Sequence, residues 1–235
     1  MTDAPLSRAD LEALAAFDTP TVCNALEAIL PERRTIGFTV RPLLAPFPDA
    51  KPIVAYARTA TIRAREPARD PKQHRAKQLQ WYEYVASGAR PSVAVLQDLD
   101  GDFHGYGAFW GEVQTNIHQA LGCVGTITDG AVRDIEQMAK GFFVLAGSIA
   151  PSHAWVHVEE IGVAVNIAGM VVGPDDLLHA DRHGAVVVPL AAARKIPEAA
   201  KRIARREAVL LEAARRPDFS VEDVRRALAA ADEIH

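Results

Sequence analysis

The stretch from Pro91 to Ala146 limits the possible folds more than any other part of the chain. "PSVAVLQD" is an unbroken apolar run ending at Gln97-Asp98, and "CVGTIT" and "FFVLA" are two more. Runs this short, built of apolar and small residues with few polar ones, read as strands buried on both faces. Between the first two, "GEVQTNIHQALG" places Val113, Ile117, Ala120 and Leu121 at helical spacing, and Gly122 stands where a helix closes. Between the second and third, "RDIEQMAKG" predicts a short helix closed by Gly141. Strand, helix, strand, helix, strand at these lengths predicts parallel βαβ units, hence an α/β fold. Right-handed crossovers then bring the turns after the first two strands to one edge of the sheet.

The flanking segments fit around this unit. "SRADLEALAAFDTPTVCNALEAIL" predicts two short helices, the second capped by Thr19 with Pro20 in first helical position. "KPIVAYARTATIRA" alternates like a strand, and "AREPARDPKQHRAKQ" predicts an exposed loop leading into a helix that carries Trp81, Tyr82 and Val85. After residue 160, three short strands are expected, with turns at Ala168-Gly169, Gly173-Pro174-Asp175 and Arg182-His183-Gly184. A helix over residues 191–214 follows, ended by Pro217, and Ser220 with Asp223 forms a capping-box pattern for the last one. With 235 residues, 49% of them hydrophobic, the chain can bury a full core, and no linker or repeat divides it. The expectation is one domain over 1–235 with a helical extension from about 191.

Composition excludes several functions. A net charge of −4 with mixed signs argues against phosphate neutralisation on a nucleic acid. No apolar run reaches the roughly 18 residues of a membrane span. The N-terminus is acidic and amphipathic, unlike a signal peptide. Cys23 and Cys123 lie far apart beside apolar residues and read as reduced core thiols. A soluble cytoplasmic protein is expected.

Two turns should make a site. One delivers Gly111-Glu112 at a helix start; the other, "TDGAVRD", delivers Arg133-Asp134. A helix N-terminus offers unpaired N–H groups and partial positive charge, and Gly111 lets a carboxylate approach them. Val113 and Gln114 contribute the next N–H groups, and Arg133 can grip the same anion with two parallel bonds. Asp134 and Glu112 are hard oxygen donors suited to Mg²⁺ or Mn²⁺, one directly and one through water. A plainer reading makes Asp134 a helix cap paired with Gln137, Glu112 a dipole partner and Arg133 a surface residue. "GYGAFWG" lacks the dinucleotide spacing. His153, His157, His179 and His183 form two i,i+4 pairs, but in loop or strand segments, where that spacing does not converge on a metal.

The segment "GEVQTNIHQALGCVGTITDGAVRD" resembles the family of 4-hydroxy-4-methyl-2-oxoglutarate / 4-carboxy-4-hydroxy-2-oxoadipate aldolases and RraA, the regulator of ribonuclease E activity. Its enzymes carry an acid, twenty intervening residues, then Arg-Asp, and Glu112, Arg133 and Asp134 match that spacing. "FDTPTVCNALE" and "VVGPDDLLHADRHGAVVVP" are similar to the family's opening and closing motifs. The resemblance implies a swivelling β/β/α fold in homotrimers or homohexamers with sites between subunits. It implies Mg²⁺ or Mn²⁺ on Asp134, substrate binding by Arg133, proton transfer aided by Glu112, and a Glu from a neighbour's C-terminal helix, here Glu207. The implied activity is lysis of a 2-oxo acid through a pyruvate enolate: retro-aldol cleavage of a 4-hydroxy-2-oxo acid, with oxaloacetate decarboxylation alongside. The alternative is a non-catalytic protein-binding regulator. The chain departs from the family at Asn24, at Gln114, Asn116 and His118, and over residues 64–82, which are longer and more basic.

Overall fold

A computed structural model describes residues 5–234, without the side chains of residues 71 and 72. In chain order the elements are α1 (Arg8–Ala15), α2 (Thr19–Ile29), β1 (Ile53–Arg63), α3 (Pro71–Ala86), β2 (Ser92–Asp98), β3 (Ala108–Trp110), α4 (Glu112–Ala120), β4 (Cys123–Thr128), β5 (Ala131–Val132), β6 (Phe143–Leu145) and β7 (Ser148–Ile149). Then come β8 (His157–Ile161), β9 (Val165–Ile167), β10 (Met170–Val172), β11 (Leu177–Asp181), β12 (Gly184–Val187), α5 (Leu190–Ala193), α6 (Ile196–Ala214) and α7 (Val221–Asp232).

The main sheet runs β12-β11-β1-β2-β4-β6, with β8 also paired to β1. β2, β4 and β6 are parallel, as expected of the βαβ units, and β1 joins them in parallel; β8, β11 and β12 pair antiparallel. Three apolar clusters cover the sheet. One packs α3 and β3 on it through Trp81, Val85 and Trp110. A second seats the β9–β10 hairpin through Ile167 and Met170, and a third seats α1, α2 and α6 through Leu14, Leu26 and Ile196.

A second sheet, β3-β5-β7, is built of strands two or three residues long, all parallel. Here the structure departs from the sequence reading. The segment holding β3 was expected to be loop, and the helix expected after Arg133 is a single 3-10 turn, Ile135–Gln137. Asp134 is left-handed (φ 53°, ψ 44°) and Met138 extended, so no α-helical ladder can start or continue there. Burial of Met138 and Ala139 against the main core holds the segment instead.

Other boundaries also shift. Asp18, not Thr19, caps α2: its Oδ1 accepts from Thr21 N at 2.8 Å, which frees the buried Thr19 hydroxyl to bond His179 Nδ1 at 3.0 Å. The region after residue 160 holds four strands, not three, and the helix expected over 191–214 is two, separated at Arg194-Lys195. The Ser220–Asp223 capping box is present. Cys23 and Cys123 are free thiols, each held near a pKa of about 11 chiefly by burial. Among the described residues no helix is long and apolar enough to cross a membrane.

Candidate functional site

The small sheet brings the two turns together. β3 and β5 lie side by side with Trp110 opposite Val132, so the residues that follow each strand emerge as neighbours. Arg133 N donates to Trp110 O at 2.9 Å, extending the ladder by one bond. Gly111 is extended (φ −164°), a conformation open to any residue. What it supplies is space: a Cβ there would stand 2.6 Å from Asp134 Oδ2 and 3.2 Å from Arg133 Cγ. The Asp134 carboxylate occupies the place a side chain at 111 would take.

That carboxylate does not cap its own turn. Gln137 N bonds the Asp134 backbone carbonyl at 3.0 Å, and no side-chain cap or capping box forms, so the plainer reading of Asp134 does not hold. Asp134 Oδ2 lies 3.4 Å from Glu112 N and 3.4 Å from Arg133 Nε. Its Oδ1 accepts no hydrogen bond among the described residues. The Arg133 and Asp134 side chains are 35% and 38% exposed, so both reach solvent.

α4 begins without a side-chain cap. Its first bond inside the helix is Thr115 N to Gly111 O at 3.1 Å, and among the described residues the N–H groups of Val113 and Gln114 meet no acceptor. Glu112 and Val113 are exposed at the same end. Open N–H groups, a helix dipole, the Arg133 guanidinium and two carboxylates therefore share one solvent-facing corner. Such a corner attracts a small carboxylate.

The apolar face expected on α4 is not the one buried. Thr115 and His118 face the core, while Val113 is 64% exposed. The Thr115 hydroxyl shares its hydrogen between the Gly111 and Glu112 carbonyls (2.9 and 3.0 Å) and accepts from Ala139 N at 3.0 Å, fastening the helix start to the far side of the Asp134 turn. His118 Nδ1 lies 2.7 Å from Gln114 O, and its Nε2 lies 2.8 Å from the Trp81 indole N–H. An indole nitrogen only donates, so the ring is the neutral tautomer protonated at Nδ1. Burial pushes the His118 pKa down to about 4. These buried polar residues carry no apolar signal, and periodicity could not find them.

The remaining expectations fall elsewhere. Glu207 is exposed on α6, beside α7, and forms no hydrogen bond or ion pair with Glu112, Arg133 or Asp134 in its own chain. His179 bonds Thr19 and the Phe17 carbonyl, His157 bonds Glu159 and the Trp155 carbonyl, and His183 bonds Asp181. Among the described residues no three His, Cys, Asp or Glu side chains converge as a metal site. Trp110, just before Gly111, is fully buried core, whereas Trp155 is 63% exposed. Asp98 and Asp129, at the ends of β2 and β4, hold loops: Asp129 Oδ1 accepts from Asp98 N at 2.8 Å, and burial raises the Asp129 pKa to about 6.

A divalent cation of the magnesium type keeps most of its waters and takes one or two carboxylates. A half-exposed Asp134 with one oxygen unbonded, and an exposed Glu112 beside it, fit that demand. They do not fit zinc, which takes three or four closely placed protein ligands, usually with His or Cys among them.

The family model described as RraA-like, Aldolase/RraA, matches residues 19–187. An uncharacterized protein of Methanocaldococcus jannaschii is 35% identical over 107 residues, 45% of this chain and 51% of that protein, so the match spans about half its length. A putative 4-hydroxy-4-methyl-2-oxoglutarate aldolase of Halalkalibacterium halodurans is 25% identical over 84% of this chain and 86% of its own. The crystal structure of Streptomyces coelicolor RraAS2, an unusual member of the RNase ES inhibitor RraA protein family, superposes with a TM-score of 0.67 at 22% identity, covering 87% of this chain and 96% of that one. The mixed α/β fold with C-terminal helices is the fold of that structure.

Proposed function

The chain belongs to the RraA-like family, and from that premise we propose that it is a divalent-metal-dependent lyase cleaving a C–C bond of a 2-oxo acid. The observation that carries the reading is the corner itself: the Asp134 carboxylate beside the open N–H groups of α4 and the Arg133 guanidinium. Asp134 would hold the cation directly and Glu112 through water. When bound, Mg²⁺ or Mn²⁺ supplies Lewis-acid polarisation of the keto oxygen.

The chain's own residues do the rest. Arg133 and the N–H groups of Val113 and Gln114 grip the substrate carboxylate against the helix dipole. Glu112 takes the proton of a C4 hydroxyl through a water molecule. The C3–C4 bond then breaks, a carbonyl product leaves, and the electron pair stays on the pyruvate half as an enolate. Arg133 faces the charge that develops on the enolate oxygen. The enolate takes a proton at C3 to give pyruvate. With oxaloacetate the same bond breaks with loss of CO₂, and Glu112 has no hydroxyl proton to remove. No lysine is needed for a Schiff base. The reading includes assembly as a trimer or hexamer in which Glu207 of a neighbouring subunit approaches the corner.

The test is pyruvate release from oxaloacetate and from 4-hydroxy-4-methyl-2-oxoglutarate by EDTA-stripped protein, with and without Mg²⁺ or Mn²⁺. The expected result is activity restored by metal and lost in Asp134→Ala. Wild type giving no release above the metal-only background on either acid would overturn the lyase and leave the family's other activity, protein binding, as the reading.

A further inference from the structure

Residues 63–77, most of them in the stretch where the chain departs from its family, concentrate a charge the rest of the molecule lacks. They hold six arginines and lysines against two carboxylates, in a chain whose net charge is −4. Between this segment and β8 lies a cavity of about 660 Å³ whose lining includes Arg63, Arg69 and Lys77. A second cavity, of about 320 Å³, includes Trp155 and shares Pro67, Ala68, His74 and His157 with the first, so the two form one groove. Neither is lined by Glu112, Arg133 or Asp134. Arg63 ends β1 on the edge where the parallel strands β2 and β4 also end, the edge at which ligands gather in open α/β sheets.

The two arms of the groove differ in chemistry. In the larger, Arg69 is exposed and forms no ion pair among the described residues. Arg63 is held through Nη1 alone, which donates to Leu99 O at 2.9 Å, and Lys77 Nζ donates once, to Glu159 O at 2.5 Å. Each keeps further N–H groups for a ligand. In the smaller arm Trp155 is 63% exposed, while Trp81 and Trp110 are fully buried. His74 belongs to both arms, and its Nδ1 is buried with no hydrogen-bond partner among the described residues, so the protein does not complete this wall by itself. Three carboxylates also line the larger arm. Glu159 Oε1 is 2.8 Å from His157 Nε2 and Asp70 Oδ1 accepts from Gln73 N at 3.4 Å, while Glu66 is exposed. Carboxylates repel a phosphate but accept from sugar hydroxyls.

We propose that this groove binds a nucleoside phosphate, with the phosphate on Arg63, Arg69 and Lys77, the ribose hydroxyls toward Glu66, and the base stacked on Trp155. Cations, an open acid and an exposed indole in one groove match the three parts of that ligand class, where a simple anion would use only the first. The site is separate from the Asp134 corner and does not depend on the lyase reading.

Binding of AMP, adenosine and inorganic phosphate is measured by calorimetry on the full chain in EDTA, which keeps divalent metal out of the corner. AMP should bind more tightly than adenosine or phosphate and should quench tryptophan emission, since Trp155 is the one tryptophan open to solvent. Arg69→Ala should weaken AMP by about tenfold or more, the worth of a charge-assisted hydrogen bond, and leave adenosine unchanged. Trp155→Ala should weaken AMP by about fivefold or more, the worth of one stacked base, and leave phosphate unchanged. Both side chains are exposed, so neither change threatens the fold. Arg133→Ala should leave AMP affinity as it is. No saturable AMP binding, phosphate binding as tightly as AMP, or AMP affinity insensitive to both groove variants would overturn the proposal. So would loss of AMP binding in Arg133→Ala, which would put the nucleotide in the Asp134 corner.

Discussion

Gly111 and Asp134 each stand at the start of a turn on neighbouring strands, and each holds the residue the other's backbone would ordinarily take. Gly111 is extended at φ −164°, where any side chain is tolerated; Asp134 is left-handed at φ 53°, where glycine is favoured. The inversion has one physical explanation in the structure. A Cβ at 111 would meet the Asp134 carboxylate, so Gly111 is there to make room and Asp134 is there for its side chain, at a backbone cost of roughly 1 kcal/mol. Strain kept at a position where glycine would relieve it points to a residue retained for its chemistry.

The largest effect expected is at Asp134. Both Asp134→Ala and Asp134→Gly should lower metal-dependent pyruvate release by more than about a hundredfold, since losing even an indirect metal partner costs up to that much. The two should differ in stability. Glycine adopts the left-handed turn freely and alanine does not, so the glycine variant should unfold in urea with about 1 kcal/mol more stability than the alanine variant. If alanine proved the more stable of the two, the backbone argument for Asp134 would fail, whatever happened to activity.

Gly111→Ala is expected to act in the opposite sense, harming function more than folding. The backbone accepts alanine, and the atom it meets is the far end of a side chain that can swing into solvent. Stability should stay within about 1 kcal/mol of wild type while activity falls by about tenfold or more, a displacement effect of the kind a small shift of a reacting group produces. Full activity in this variant would mean that the carboxylate works from some other position than the one beside residue 111.

How much of this was legible in the sequence follows from the length of each pattern. The apolar runs of β2, β4 and β6 are long enough to read as buried strands, and α4 was legible as a helix between them though not in the face it buries; the parallel arrangement follows from that order. Glu112, Arg133 and Asp134 were legible as residues on two turns expected at one sheet edge, and their spacing only through the resemblance to a family. The sheet that brings its parts together was not, because β3, β5 and β7 have two or three residues each and no period can be read from so few. The left-handed Asp134 was invisible for a related reason: "RDIEQMAKG" has sound helical spacing, and only tertiary burial of Met138 and Ala139 overrides it. Thr115 and His118 act through bonds to residues distant in the chain, and a buried histidine satisfied on both nitrogens looks, in sequence, like a surface one.

Thr115 gives the smallest and sharpest comparison, because its hydroxyl ties the start of α4 to the segment beyond the Asp134 turn. Its hydroxyl is fully buried, bonded to the carbonyls that begin α4 on one side and to Ala139 N, beyond the Asp134 turn, on the other. Thr115→Val keeps the shape and removes the hydroxyl, leaving a buried N–H at Ala139 without an acceptor. The cost should be about 1–3 kcal/mol in a urea unfolding midpoint, and Thr115→Ser, which keeps the hydroxyl, should recover most of it. If the corner depends on the two turns being held in register, the valine variant should also raise KM for the 2-oxo acid while the serine variant does not. A valine variant that loses stability but keeps KM would show that the β3–β5 ladder alone holds Arg133 and Asp134 against α4, and that the hydroxyl serves only the core beneath them.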